Sequence, residues 1–245
     1  MVEGPGFHNR HAFITSKICS LLISLTQEPS EYDKIAPNIE YWIEYVLREQ
    51  FTTVDELVEA ISWVAWNAGD TSENIARFLK EFRDAPCRSD QARFFVIKLC
   101  DHVLRWFAIA SVEDLPIGES QKMGSIATWG GSFTRAASFV GHLIGYGLLG
   151  HDLVRRHLVK PLISHRYVNR SHPGLWLPGE AARANAIHRL FIAAGNTLLQ
   201  GLLAPEDVQA CFETLDVDNT SRTIEGLDAG KLNVRFSSFQ CLVET

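Results

Sequence analysis

The stretch from Ser132 to His165, SFTRAASFVGHLIGYGLLGHDLVRRHLVKPLISH, restricts the fold more than any other part of the chain. Phe133, Ala137, Val140, Ile144 and Leu148 recur at helical spacing, and Phe139 and Leu143 add a second apolar face. A helix apolar on two sides must be covered on two sides. The spacing predicts a corner at Leu149-Gly150-His151-Asp152. After it comes an amphipathic helix with Leu153, Val154, Leu158 and Leu162 on one face and Arg155, Arg156 and Lys160 on the other. Gly141 and Gly145 lie one turn apart in the first helix. Each glycine costs roughly 1 kcal/mol of helix propensity, so a neighbouring helix is expected to pack closely there. A helix buried on both sides beside one buried on a single side is the signature of packed helical pairs.

The remainder of the chain follows the same rhythm. Residues 8–27 predict a first helix with Phe13, Ile14, Ile18, Leu21, Leu22 and Leu25 at helical spacing, and Pro29 lies just past its end. Residues 30–50 predict a second, divided at Pro37 because proline has no amide hydrogen for the helical ladder. Its main part is Asn38 to Gln50, with Ile39, Trp42, Ile43 and Val46 inward. A third begins at the capping pattern Thr53-Val54-Asp55-Glu56 and stops at Gly69. Ser72 is placed to cap a fourth, with Ile75, Phe78, Leu79 and Phe82 inward. The fifth, from Ser89 to about Ile109, is dense in apolar residues, Phe94, Phe95 and Ile97 among them.

Glycines and Pro116 predict an exposed loop over 111–131, and Arg166 to Pro178 reads as another. Glu180 to Leu199 predicts a long helix with Ala184, Ile187, His188, Phe191 and Ile192, and Glu206 to Leu215 a short one. After Asp216 the chain turns polar and ends in the apolar patch Val234, Phe236, Phe239, Leu242 and Val243. The expected organisation is a helical array over 8–215 and a C-terminal tail, 216–245, with a docking segment. No strand alternation precedes the tail, so the predicted class is all-α with antiparallel helix pairs.

Composition narrows the function. A formal net charge of -6 argues against a protein that coats nucleic acid non-specifically. The five cysteines are scattered without a C-x-x-C pair, so neither a zinc site nor a disulfide framework is expected. Cys19 and Cys100 sit among apolar residues and read as buried thiols in a reducing compartment. MVEGPGFHNR has no signal-peptide pattern, and no run is long and apolar enough to span a bilayer. The expectation is a cytoplasmic or nuclear protein without membrane partners.

Phe139-Val140-Gly141-His142-Leu143, then Tyr146-Gly147-Leu148-Leu149, then the basic helix closing in Leu162-Ile163, resembles the MIF4G domain, the middle domain of the translation initiation factor 4G family. Ile18 to Thr26 is similar to the opening helix of that family, and Ala184 to Leu199 to one of its later helices. The resemblance covers about residues 8–215. His142 stands where the family usually has Glu, Ala136-Ala137-Ser138 replaces a typical Gly-Asn-Ile, and Pro161 falls in the last turn of the basic helix. The resemblance implies a HEAT-like α-α superhelix and a non-enzymatic scaffold in mRNA translation or turnover. The partners it implies are a DEAD-box RNA helicase, other translation factors, and RNA.

The residues themselves offer a few chemical candidates. Arg135, Arg155, Arg156, Lys160, His165, Arg166 and Arg170 form a cationic cluster in an acidic chain, fit for phosphate or an acidic partner, although charged helix faces are commonly only solvated. Trp129 and Trp176, placed in the two loops, are candidate aromatic anchors; the other tryptophans read mainly as core. His151-Asp152, with His142, His157, His165 and His188, leaves a metal-dependent phosphohydrolase as a minor alternative, but Asp152 at a corner is equally a helix cap. No nucleophile elbow or phosphate loop occurs. No catalytic residue, cofactor or metal is expected. A helical adaptor with no tie to RNA stays open beside the scaffold.

Overall fold

The computed structural model describes residues 5–49, 54–86, 89–112, 123–154, 186 and 189–195. Among these there is no strand, and the protein is all-α. The helices are α1 (Pro5–Gln27), α2 (Tyr32–Glu49), α3 (Val54–Ala68), α4 (Glu73–Asp84), α5 (Asp90–Val112), α6 (Met123–Gly145) and the short α7 (His151–Val154). Short 3-10 turns at Pro29–Glu31 and Gly69–Ser72 lead into α2 and α4. Residues 189–194 are also helical.

The core follows the apolar spacing. Ile14, Ile18, Leu22 and Leu25 of α1, Ile39, Ile43 and Val46 of α2, and Leu57, Val58 and Ile61 of α3 are buried. Ile75, Phe78, Leu79 and Phe82 of α4 are buried as their spacing requires. α3 packs against α1, α5 and α6, while α4 packs against α1, α5 and α6. Every described side chain of α6 from Thr134 to Ile144 is buried or half-buried, as a helix apolar on two faces demands.

Close packing at the paired glycines is found. A Cβ on Gly141 would lie 2.6 Å from the Leu190 carbonyl oxygen and 2.7 Å from the Ala193 Cβ. Residues 189–194 therefore provide the neighbouring helix. α6 ends sooner than the apolar pattern suggests, at Gly145 rather than Leu149. Gly147 takes φ +65°, its N–H donates to the Ile144 carbonyl at 2.9 Å, and the Leu148 N–H donates to the Leu143 carbonyl at 2.8 Å. This pairing is a Schellman cap, closed by the apolar contact expected between the residue after the glycine and the last turn. Leu148 and Leu149 thus belong to the connection, and α7 begins at His151.

Four further expectations are corrected. Pro37 does not divide α2, which runs through it. Only the bond to the Asp33 carbonyl is forfeited by the missing N–H, and Asn38 Nδ2 supplies an additional donor to the adjacent Lys34 carbonyl at 2.8 Å. Ser72 does not cap α4; its hydroxyl donates back to the Gly69 carbonyl at 2.6 Å inside the 3-10 turn. The described parts of the expected 111–131 loop are helical: α5 continues to Val112 and α6 starts at Met123, while 113–122 lie outside the described residues. Once a helix is nucleated by packing, adding residues is cheap, so Gly124, Gly130 and Gly131 do not break it. Finally, Phe13 keeps the apolar spacing of α1 yet is exposed, and Phe94, Ile97 and Ile192 are exposed as well. Thr53 and the tail 216–245 lie outside the described residues.

Candidate functional site

Arg155, Arg156, Lys160, His165, Arg166, Arg170 and Trp176 lie outside the described residues. Two members of the expected surface are placed. Trp129 is on α6, not in a loop. Arg135, also on α6, is half-buried. Its Cγ lies 3.2 Å from where a Cβ of Gly69 would stand, so its stem crosses the turn between α3 and α4. Gly69 has φ +59° there, a conformation glycine adopts without strain.

That turn is the centre of a polar joint. Asp70 Oδ1 accepts a hydrogen bond from the fully buried Ser138 hydroxyl on α6 at 2.7 Å, and Oδ2 is ion-paired with Arg189. Burial by itself would raise the Asp70 carboxyl. The Arg189 and Ser138 hydrogen bonds and the neighbouring positive charge outweigh burial and hold it below its ordinary value. His142, one turn beyond Ser138, is half-buried, and its Nε2 is shielded from water with no hydrogen-bond partner. Burial lowers the imidazole pKa despite the nearby carboxylates of Glu73 and Asp70, so the ring is neutral at pH 7.

One turn further, the Tyr146 hydroxyl donates to Glu73 at 3.2 Å. The Tyr32 hydroxyl donates to Glu81 at 2.7 Å, and Arg77 bonds the same carboxylate at 2.9 Å. The Arg77 guanidinium also lies 3.9 Å over the Tyr32 ring. Glu73, Arg77 and Glu81 follow one another at four-residue spacing along α4. These groups tie α2, α4, α6 and residue 189 together. Ser138 is fully buried, and the arrangement is a joint between helices.

The joint makes stability sensitive to acid. A carboxyl held below its ordinary value of 3.8 stabilises the fold above that pH and loses its contribution as the pH falls through the lowered value. Asp70→Ala is expected to destabilise the protein by about 1–2 kcal/mol at pH 7, chiefly because the buried Ser138 hydroxyl loses its acceptor. Denaturant titrations of both proteins should draw together only as the pH falls through that lowered value, well below 3.8. A gap that persists at that acidity would show that the carboxylate is not the stabilising form.

The aromatic residues reach the surface more than expected. Of the described tryptophans none is fully buried: Trp42, Trp66 and Trp106 are half-buried against the core, and Trp63 is 61% exposed. Trp66 of α3 stacks on Trp106 of α5 at 4.2 Å and on His102 at 6.0 Å. Lys98 and Asp55 join the same two helices at 2.7 Å. α3 and α5 thus lie side by side, and Trp63 on α3 and Phe94 and Ile97 on α5 are each about three-fifths exposed.

Among the described residues no group of three or more His, Cys, Asp or Glu side chains could hold a metal ion. Burial pushes the Cys100 thiol up to about 12, and Cys19 is raised by the same cause; both are inert as nucleophiles at neutral pH. No described helix is long and apolar enough to cross a membrane. The described residues define an all-α protein with exposed aromatic, aliphatic and charged side chains. No protein-family model matches the chain, and neither curated proteins nor solved structures yield a match.

Proposed function

We propose that this chain is a non-enzymatic helical scaffold, HEAT-like and of the MIF4G kind, that holds protein partners and RNA in mRNA translation or turnover. The observation in its favour is the set of large apolar side chains left exposed on the adjacent helices α3 and α5. Trp63, Phe94 and Ile97 stand exposed there on helices that are otherwise well packed. Large exposed apolar side chains are the kind that anchor protein interfaces. The partner class, a DEAD-box RNA helicase or another translation factor in the cytoplasm or nucleus, comes from the sequence resemblance over 8–215. The cationic residues Arg155, Arg156 and Lys160 would add charge complementarity to an acidic partner surface or to RNA.

The test is affinity capture from cell extract, with and without nuclease, using the wild type and the combined Arg155→Glu, Arg156→Glu, Lys160→Glu variant. Recovery of an RNA helicase should fall by about tenfold in the variant and decline as salt is raised. Loss of capture after nuclease treatment alone would identify RNA as the bridge. Capture unchanged by both treatments would remove the cationic segment from the binding surface. It would then favour an adaptor that works through apolar contacts.

A further inference from the structure

His142 stands where three parts of the chain close on one another. It belongs to α6, and the backbones of Asp70, in the Gly69–Ser72 turn, and of Ala193, in the helix 189–194, both reach its ring. Its Nε2 is shielded from water and has no hydrogen-bond partner. The seam beside it has no slack. A Cβ on the neighbouring Gly141 would come within 2.6 Å of the Leu190 carbonyl oxygen and 2.7 Å of the Ala193 Cβ. Hydration of Nε2 therefore calls for movement of the elements around it.

The surroundings hold charges of both signs. Asp70 acts on the ring from the turn and Glu73 from α4. Further along α4, Arg77 pairs with Glu81, and Lys80 and Arg83 with Asp84. Residues 189–194 bring Arg189, which is paired with Asp70. α6 itself brings Arg135 two turns earlier and Tyr146 one turn later, the latter donating to Glu73 at 3.2 Å. α3 and α5 also pack on α6. Their described buried side chains are apolar except Ser62 and Cys100, and burial pushes the Cys100 thiol up to about 12. Of their other polar groups, Asp55 pairs with Lys98, Asp101 pairs with Arg105, and His102 stacks on Trp66. Glu56, Glu59, Asp90 and Arg93 are exposed. Burial opposes a charge on the His142 ring more strongly than the Glu73 and Asp70 carboxylates and the Asp70 and Ala193 backbones favour it. The imidazole is therefore held below its ordinary 6.5.

We propose that His142 is a proton-operated latch on the seam between α6 and residues 189–194: the seam is closed around the neutral ring, and a proton on the ring opens it. An imidazolium carries an N–H on both nitrogens, and in the closed seam Nε2 has neither water nor an acceptor. Opening gives it water at the expense of the contact at Gly141 and of the ion pair between Arg189 and Asp70. In the open seam the ring regains its ordinary 6.5 and binds more protons than in the closed one. The closed form thus loses stability as the pH falls through 6.5, and the loss levels off below the lowered value. Asp70 titrates outside this window, because its carboxyl is held below 3.8. The latch needs no partner, so its success or failure is independent of the scaffold proposal.

Hydrogen exchange of the full chain at about pH 7.5 and about pH 5.5, expressed as protection factors, tests it. Wild-type protection at 189–194 should fall by up to about tenfold at the lower pH, while α1 to α3 keep theirs. His142→Gln and His142→Leu, one polar and one apolar and neither able to take the proton, should hold the protection of 189–194 constant between the two conditions. His102→Gln, on α5, should show the wild-type fall. Nuclear magnetic resonance of the ring protons gives a second reading: the histidine signal that disappears in His142→Gln should titrate below 6.5 in the wild type. The wild-type exchange and titration decide the matter even where a variant fails to fold. Unchanged wild-type protection at 189–194, or a fall spread evenly over α1 to α3, would overturn the latch. So would an equal fall in the uncharged variants or a His142 signal that titrates at or above 6.5.

Discussion

Phe95→Ala is expected to destabilise the protein by about 3–5 kcal/mol, whereas Phe94→Ala, one position earlier, should change stability by less than about 1 kcal/mol. Phe95 is 0% exposed in the core and Phe94 is 58% exposed. Removing a buried phenyl ring loses its transfer free energy and leaves a cavity that a close-packed helical core fills only partly. Removing an exposed ring loses neither. For a chain of this size the Phe95 variant should melt roughly 6–20 °C lower. Thermal melts of the two single variants, followed by far-UV circular dichroism, provide the comparison. Equal losses would mean that α5 is rotated about its axis relative to the arrangement described above.

Gly141→Ala should destabilise by about 1–3 kcal/mol despite the better helix propensity of alanine, which alone would favour it by roughly 1 kcal/mol. The new Cβ would stand 2.6 Å from the Leu190 carbonyl oxygen, 2.7 Å from the Ala193 Cβ and 3.1 Å from the Ala194 nitrogen. These are backbone atoms and a methyl with no rotamer to change, so residues 189–194 must move as a unit. Such a shift also strains the ion pair between Arg189 and Asp70. Gly145→Ala is the internal control. Its Cβ would approach the Ala193 carbonyl oxygen at only 3.3 Å, so gain and loss nearly cancel. Hydrogen exchange at residues 189–194 should be faster in Gly141→Ala and close to wild type in Gly145→Ala. A Gly141→Ala protein as stable as wild type would show that the two helices do not approach so closely.

Helix identity was legible wherever apolar side chains recur at the helical period. α1 to α5 and the buried part of α6 lie where their spacing puts them. Errors arose where local propensity opposes packing. Pro37 and the glycines from 124 to 131 are helix breakers in isolation, yet each sits inside a helix. Ser72 has the right type and place for a cap, but its hydroxyl turns back to Gly69. The direction of faces was less legible than their existence. α5 is so rich in apolar residues that its spacing alone leaves Phe94 and Ile97 as eligible for the core as Phe95 and Leu99.

Of the candidate surface, the cationic run after Val154 is visible in the sequence as charge but lies outside the described residues, and the Arg135 side chain lies against the turn at Gly69. The polar joint left no local trace. Asp70 and Ser138 are separated by 68 positions, and Asp70 and Arg189 by 119.

By itself the sequence determined an all-α chain, the helical periods, and the need for a close neighbour at Gly141 and Gly145, because these follow from local periodicity and from the absence of a side chain. Which residues supply that neighbour, which of two adjacent phenylalanines is buried, and which groups satisfy Ser138 were decided only by the tertiary structure. They depend on how helices far apart in the chain come to lie against one another, and the period of a single helix contains no information about its distant partners.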